Sequence, residues 1–254
     1  MEKEKDEYNT YLGQAYRYLS FEGLFKTLET KSLRFTRVDC FNDPLDNSIF
    51  LAPFDWNEYA KEGSSYISFV QKHFQQVFTG SLYACCFCKE FDSENSYLMW
   101  SHYGNGHTQV CFEVDFSKNR YLGGPSEVTY PESLKEERDI IASKDSSKQG
   151  LYLVTTKTKQ WSYEKEVRLI VDTNNDKVDT AKINISDDSK NLFVEFDLTL
   201  ISKTIFGVKA AKEDISKTIN MFKERNLNPE YFKMRIDPVN LTLKADKLLV
   251  TKQD

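Results

Sequence analysis

Two carboxylates, Glu164 and Glu166, are the residues most able to do chemistry in this chain. They sit in the segment Trp161-Ser162-Tyr163-Glu164-Lys165-Glu166-Val167-Arg168-Leu169-Ile170-Val171. Tyr163, Val167, Leu169 and Val171 alternate as the apolar positions of a strand that buries one face. With a side-chain period of two, Glu164, Glu166 and Arg168 then share the other face. At a rise of about 3.3 Å per residue the carboxylates stand roughly 6–7 Å apart. That is too far to share one proton and close enough for both to touch one ligand. Two like charges on one face cost energy unless something cationic or hydrogen-bonding uses them. Either a ligand does so, or Arg168 and nearby lysines simply neutralise the pair.

The elements that must position this pair read as follows. Residues 1–10 are charged and expected to be flexible, and residues 11–250 read as a single domain. Tyr11 to Leu19 reads as a strand around Tyr16-Arg17-Tyr18. Ser20 can cap a helix whose Phe21, Leu24, Phe25 and Leu28 repeat at helical spacing. Leu33 to Thr36 alternates as a strand, and Asn42-Asp43-Pro44 is a turn. Asp55 to Phe78 is patterned as a helix, with His73 on its apolar face. Ser81 to Cys88 and Thr108 to Val114 read as strands. Between them Ser96 to Tyr103 reads as a short helix ended by Gly104 in the left-handed cap position. Residues 132–149 read as an exposed helix or flexible excursion. Later come a polar connector (174–190), strands at 192–198 and 204–208, a helix at 212–225 and a strand through Phe232, Met234 and Ile236. Strands and helices mix without a regular βαβ rhythm, so the fold class expected is α+β.

Composition narrows the function. With 254 residues and 40% hydrophobic content the chain is globular. A formal charge of −5 supplies no broad basic field for long nucleic acid. No apolar run approaches a membrane span, and the charged start lacks the apolar core of a signal peptide, so a cytoplasmic protein is expected. Five cysteines fit reduced thiols. Cys85 points opposite to Cys86 and Cys88 by alternation, and no second cysteine pair completes a tetrahedral metal site. No metal is expected.

Four separated segments form a recognisable set: Tyr16-Arg17-Tyr18, Phe41-Asn42-Asp43-Pro44-Leu45-Asp46, Met99-Trp100-Ser101-His102-Tyr103, and Trp161 to Arg168. The set resembles a large bacterial family known as a domain of unknown function. Its members share an aromatic-basic-aromatic opening, an Asn-Asp-Pro turn, a Trp-x-x-Tyr helix and a Trp-x-Tyr-Glu-x-Glu-x-Arg strand. Asp46 stands where that family usually carries Glu.

The order of parts is also similar to ADP-ribosyltransferase-like domains. That resemblance implies a mixed, partly split β-sheet flanked by helices and NAD as substrate. It places Arg17 on the opening basic position, Tyr103 on the middle aromatic, Glu166 on the catalytic glutamate and Glu164 on the residue facing the acceptor. In this reading Glu166 stabilises the oxocarbenium-like centre or holds a ribose hydroxyl. Glu164 takes the proton of the nucleophile. Arg17 pairs with the pyrophosphate or a ribose hydroxyl, and Tyr18, Trp100 or Tyr103 stacks on nicotinamide. His102 is a supporting polar group, and Asn42 and Asp43 brace a loop or touch the ligand. The acceptor would be a protein, a nucleic acid or a small molecule, and a toxin or phage-defence role would suit the chemistry. Glu166→Gln is then expected to lower turnover with little loss of stability. Two other functions compete: a nucleotide-sensing module without chemistry, and a metal-dependent nuclease built from Asp43, Asp46, Glu164, Glu166 and His102.

Overall fold

One strand, Leu82–Cys88, organises the molecule. In the computed structural model, which describes residues 10–47, 61, 79–91, 96–118, 124–136, 146–175 and 180–249, this strand is β3. Before it come β1 (Gln14–Leu19), α1 (Phe21–Thr30) and β2 (Ser32–Arg37). After it come α2 (Ser96–His102), β4 (Val110–Asp115), β5 (Ser126–Glu127), α3 (Ser146–Val154) and β6 (Glu166–Asp172). The chain continues through β7 (Ile183–Ile185), β8 (Asn191–Glu195), β9 (Ile201–Phe206), α4 (Lys212–Glu224), β10 (Glu230–Asp237) and β11 (Thr242–Lys247). Apart from Lys61, the expected helix from Asp55 to Phe78, with His73, lies outside the described residues, as do residues 1–9.

The strands form one mixed sheet in the order β11-β10-β9-β4-β1-β3-β2-β8-β7, with β6 added to β3 and β5 to β6. β9 and β10 run parallel and the other pairs antiparallel. β6 covers one edge of β3 along its whole length, from Leu82↔Asp172 to Cys88↔Glu166. The other edge of β3 is shared. β1 touches it at Tyr16↔Cys88, and β2 at Thr36↔Ala84 and Arg37↔Tyr83. The sheet therefore forks between β1 and β2. Arg17 spans the fork, donating to the Arg34 carbonyl at 2.9 Å and to the Cys85 sulfur.

Alternation divides the side chains between two faces. Ala15, Phe35, Phe87, Phe112, Val167 and Leu169 pack on one face against Leu24 and Leu28 of α1 and Met221 and Phe222 of α4. Trp100, Cys111, Ile205 and Met234 pack on the other. The α1 reading holds in detail: Ser20 accepts from the Gly23 amide at 3.0 Å, and Phe21, Leu24 and Leu28 are buried. Gly104 differs from expectation. The left-handed residues of that turn are Asn105, Gly106 and His107. Gly104 is required for space, because a Cβ there would lie 2.7 Å from the Trp100 ring and carbonyl.

A candidate acid–base site

The segment from Trp161 is not one strand. Residues Lys159–Glu164 form a 3-10 helix, Lys165 is left-handed at φ 45°, and β6 begins only at Glu166. The period-two rule therefore does not apply across Lys165, and strand geometry cannot place Glu164 beside Glu166. Both carboxylates are nonetheless buried, and they converge on a third residue. The Lys157 ammonium lies 2.5 Å from Glu164 Oε2 and 3.2 Å from Glu166 Oε2. Asp46 Oδ2 stands 3.8 Å from the same nitrogen.

Arg168, whose side chain is 1% exposed, closes the inner half of the network. Nε and Nη2 donate to the two oxygens of Glu166 at 2.8 and 2.9 Å. Nη1 and Nη2 donate to the two oxygens of Asp46 at 2.9 and 2.6 Å. Nη1 also donates to the Val154 carbonyl at 2.7 Å, so all five N–H groups are used. The guanidinium lies over the Phe41 ring, 5.1 Å from its centroid. Three carboxylates against two cations leave one surplus negative charge.

The outer half is different. Tyr103 donates its hydroxyl to Glu164 Oε1 at 2.5 Å, while the Glu166 amide donates to the Tyr130 hydroxyl at 2.8 Å. Around Tyr103 the rings of His102, Trp161 and Tyr163 form a half-exposed group. His102 lies 6.2, 6.1 and 6.1 Å from Tyr103, Trp161 and Tyr163, and Trp161 lies 6.0 Å from Tyr163. Lys157 sits 4.8 Å from the centroid of Trp161.

The two glutamates titrate in opposite directions. Burial pushes the Glu166 carboxyl up, but the Arg168 guanidinium outweighs it and holds the group down at about 2. At Glu164 burial wins over Lys157, and the carboxyl is raised. Asp46 is likewise raised by burial against the pull of Arg168. Burial also lifts the Tyr103 hydroxyl, and the Glu164 charge adds to it. Of the two, Glu166 holds its charge the more firmly and Glu164 is the more readily protonated.

The other residues picked from the sequence are dispersed. Arg17 lies on the opposite face of the sheet, with Cys85 and the Phe87 ring, 5.6 Å from its guanidinium carbon. Glu166 is on the Cys86 and Cys88 side. Trp100 is fully buried in the core, and the partly buried Tyr18 packs edge-on against it at 5.0 Å, so both serve packing. Asn42 is exposed, and Asp43 accepts from the Leu45 amide at 2.9 Å, bracing the turn that delivers Asp46. Only Tyr103, His102, Glu164 and Glu166 come together. Lys157, Asp46 and Arg168 complete the site, and Trp161 and Tyr163 its rim. Lys157 gave no signal in the run Thr155-Thr156-Lys157-Thr158-Lys159, which reads as a solvated stretch. Among the described residues, no group of His, Cys, Asp or Glu is disposed to hold a metal ion.

One comparison bears on this region. Residues 99–169 are similar to the family described as protein of unknown function (DUF2971). The DUF2971 match begins at Met99 of α2 and ends at Leu169 of β6, so it holds Tyr103, Lys157, Glu164, Glu166 and Arg168. Asp46 and Arg17 fall outside it. No curated protein and no solved structure matches the chain.

Proposed function

We propose that this site binds NAD through its nicotinamide riboside half and cleaves the nicotinamide–ribose bond, with Glu164 rather than Glu166 as the working carboxylate. The observation that carries the reading is the Tyr103 hydroxyl donating to Glu164 beside the cluster of His102, Trp161 and Tyr163 rings. Aromatic faces attract a cationic ring, and the oxidised nicotinamide ring is a cation. The surplus negative charge of the network favours the same ligand.

In this proposal water or an acceptor hydroxyl attacks the ribose carbon as the bond to nicotinamide breaks. The bonding pair leaves with neutral nicotinamide. The proton of the nucleophile passes to the Tyr103 oxygen, and the Tyr103 proton moves to Glu164. An ionised carboxylate about 4 Å from an oxocarbenium-like centre supplies on the order of 4 kcal/mol at an effective dielectric near 20, nearly three decades in rate. Glu166 cannot be spared for that role, since Arg168 and Lys157 already occupy it. Arg17 has no part in it. The ADP-ribosyltransferase-like assignment is thereby reduced to the carboxylate, the tyrosine and the rim.

A second reading, a nucleotide sensor without chemistry, is favoured by the 2.5 Å contact of Lys157 with Glu164, which neutralises much of the field a transition state would use. One experiment separates them. Purified protein is incubated with NAD while free nicotinamide and thermal stability are followed. Nicotinamide release that falls at least tenfold in Glu164→Gln supports cleavage. A raised melting temperature without release supports sensing. If neither response is seen, NAD is not the ligand.

A further inference from the structure

Lys157 connects the two carboxylates, yet its placement is not what simple charge neutralisation asks for. Arg168 already satisfies both oxygens of Glu166. Lys157 makes its shortest contact with Glu164 instead, on the oxygen that Tyr103 does not use. Its fourth neighbour is a ring of the rim, Trp161. The ammonium therefore locks Glu164 in one rotamer, with the inner oxygen on nitrogen and the outer oxygen on the Tyr103 hydroxyl.

We infer that Lys157 is the positioning residue of this site, which keeps Glu164 ionised and turned toward Tyr103. The inference rests on the proposal above for what Glu164 then does, but not for its own test. The groups facing Glu164 are Tyr103 of α2, Lys157 after α3, Glu166 and Arg168 of β6, Asp46 of the Asn-Asp-Pro turn, Cys88 of β3, Tyr130, and Tyr163 of its own 3-10 helix. Among these Lys157 is the cation in direct contact with it. An opposite charge at that range lowers a carboxyl by about 1–3 pH units.

The test uses the whole chain with ¹³C-labelled glutamate side chains, the Glu164 signal being assigned by its loss in Glu164→Gln. In Lys157→Met the Glu164 midpoint should rise by at least about 1 pH unit, and Lys157→Arg should return most of that shift. An unchanged midpoint in Lys157→Met overturns the inference. Should Lys157→Met fail to fold, the wild-type ammonium is followed by ¹⁵N resonance. Its signal should move through the same midpoint as the Glu164 carboxyl, and a signal indifferent to that titration overturns the inference equally. Neither measurement needs NAD, so failure to bind or cleave NAD leaves the result intact and removes only the ligand. Where NAD is cleaved, the acid limb of the pH–rate profile should move up by the same interval in Lys157→Met.

Discussion

Arg168 and Asp46 stand far apart in sequence and meet in a two-point ion pair, Nη1 to Oδ1 at 2.9 Å and Nη2 to Oδ2 at 2.6 Å. The pair ties the Asn-Asp-Pro turn to the first residues of β6 and lies wholly inside the protein. Without Asp46 the guanidinium keeps Glu166 as its counter-charge, but buried Nη1 and Nη2 protons lose their acceptor. Asp46→Ala should therefore lower unfolding free energy by about 1–3 kcal/mol, read from urea denaturation. A loss under about 1 kcal/mol would mean that the turn does not hold Arg168 in solution.

Glu166→Gln should now be costly to the fold, contrary to the expectation from sequence alone. The amide keeps the shape but removes the buried charge that both Arg168 and Lys157 contact, leaving Arg168 only Asp46 as a carboxylate partner among the described residues. A loss of about 3 kcal/mol is expected by equilibrium unfolding. Its pH dependence has a definite sign. The Glu166 carboxyl is depressed in the folded protein, to about 2 from an ordinary 4.5. The stabilisation it contributes is complete above 4.5 and is lost as pH falls from there through about 2. The wild type should lose stability more steeply across that window than Glu166→Gln, and parallel acid limbs would contradict this.

Tyr103→Phe removes one hydroxyl and leaves the Glu164–Lys157 contact in place. Stability should change by only about 1 kcal/mol, the scale of a single hydrogen bond. The response to NAD should suffer more, with the ligand-induced rise in melting temperature reduced by half or more. A variant that melts much lower yet responds normally would assign Tyr103 to packing.

Arg17→Met tests the separation of the two faces. Arg17 spans the fork in the sheet, and its loss leaves the Arg34 carbonyl without that donor. A destabilisation of about 1–3 kcal/mol is expected. Once corrected for stability, nicotinamide release or ligand-induced stabilisation should match the wild type. A selective loss of ligand response would put Arg17 back in the site.

Much of the fold was legible wherever the chain carries a local period. Ser20 and the apolar row Phe21, Leu24 and Leu28 specify α1, because cap and stripe act within a few residues of each other. Cys85 and Phe87 face away from Cys86 and Cys88 as alternation requires, and Phe232 and Met234 mark β10. Strand β7, which pairs with the expected strand β8, was hidden in the polar connector, since Ile183 and Ile185 are too few to show a period.

What the sequence by itself determined, then, is most of the strands and helices, but not β5, β7 or β11, nor the 3-10 helix that precedes Glu166. It also put forward Tyr103, Glu164 and Glu166 as the groups to follow. Only the tertiary structure decided their company. A single left-handed residue, Lys165, ends one local geometry and starts another, so spacing along the chain could not set the distance between the two glutamates. The sheet placed Arg17 behind Glu166 rather than before it, and Asp46 of its turn and Lys157, after α3, arrived from other parts of the chain. The physical reason is one of range. Periodicity and capping act over a few residues, whereas a buried charge must be matched by whatever opposite charge the packed elements bring within about 4 Å.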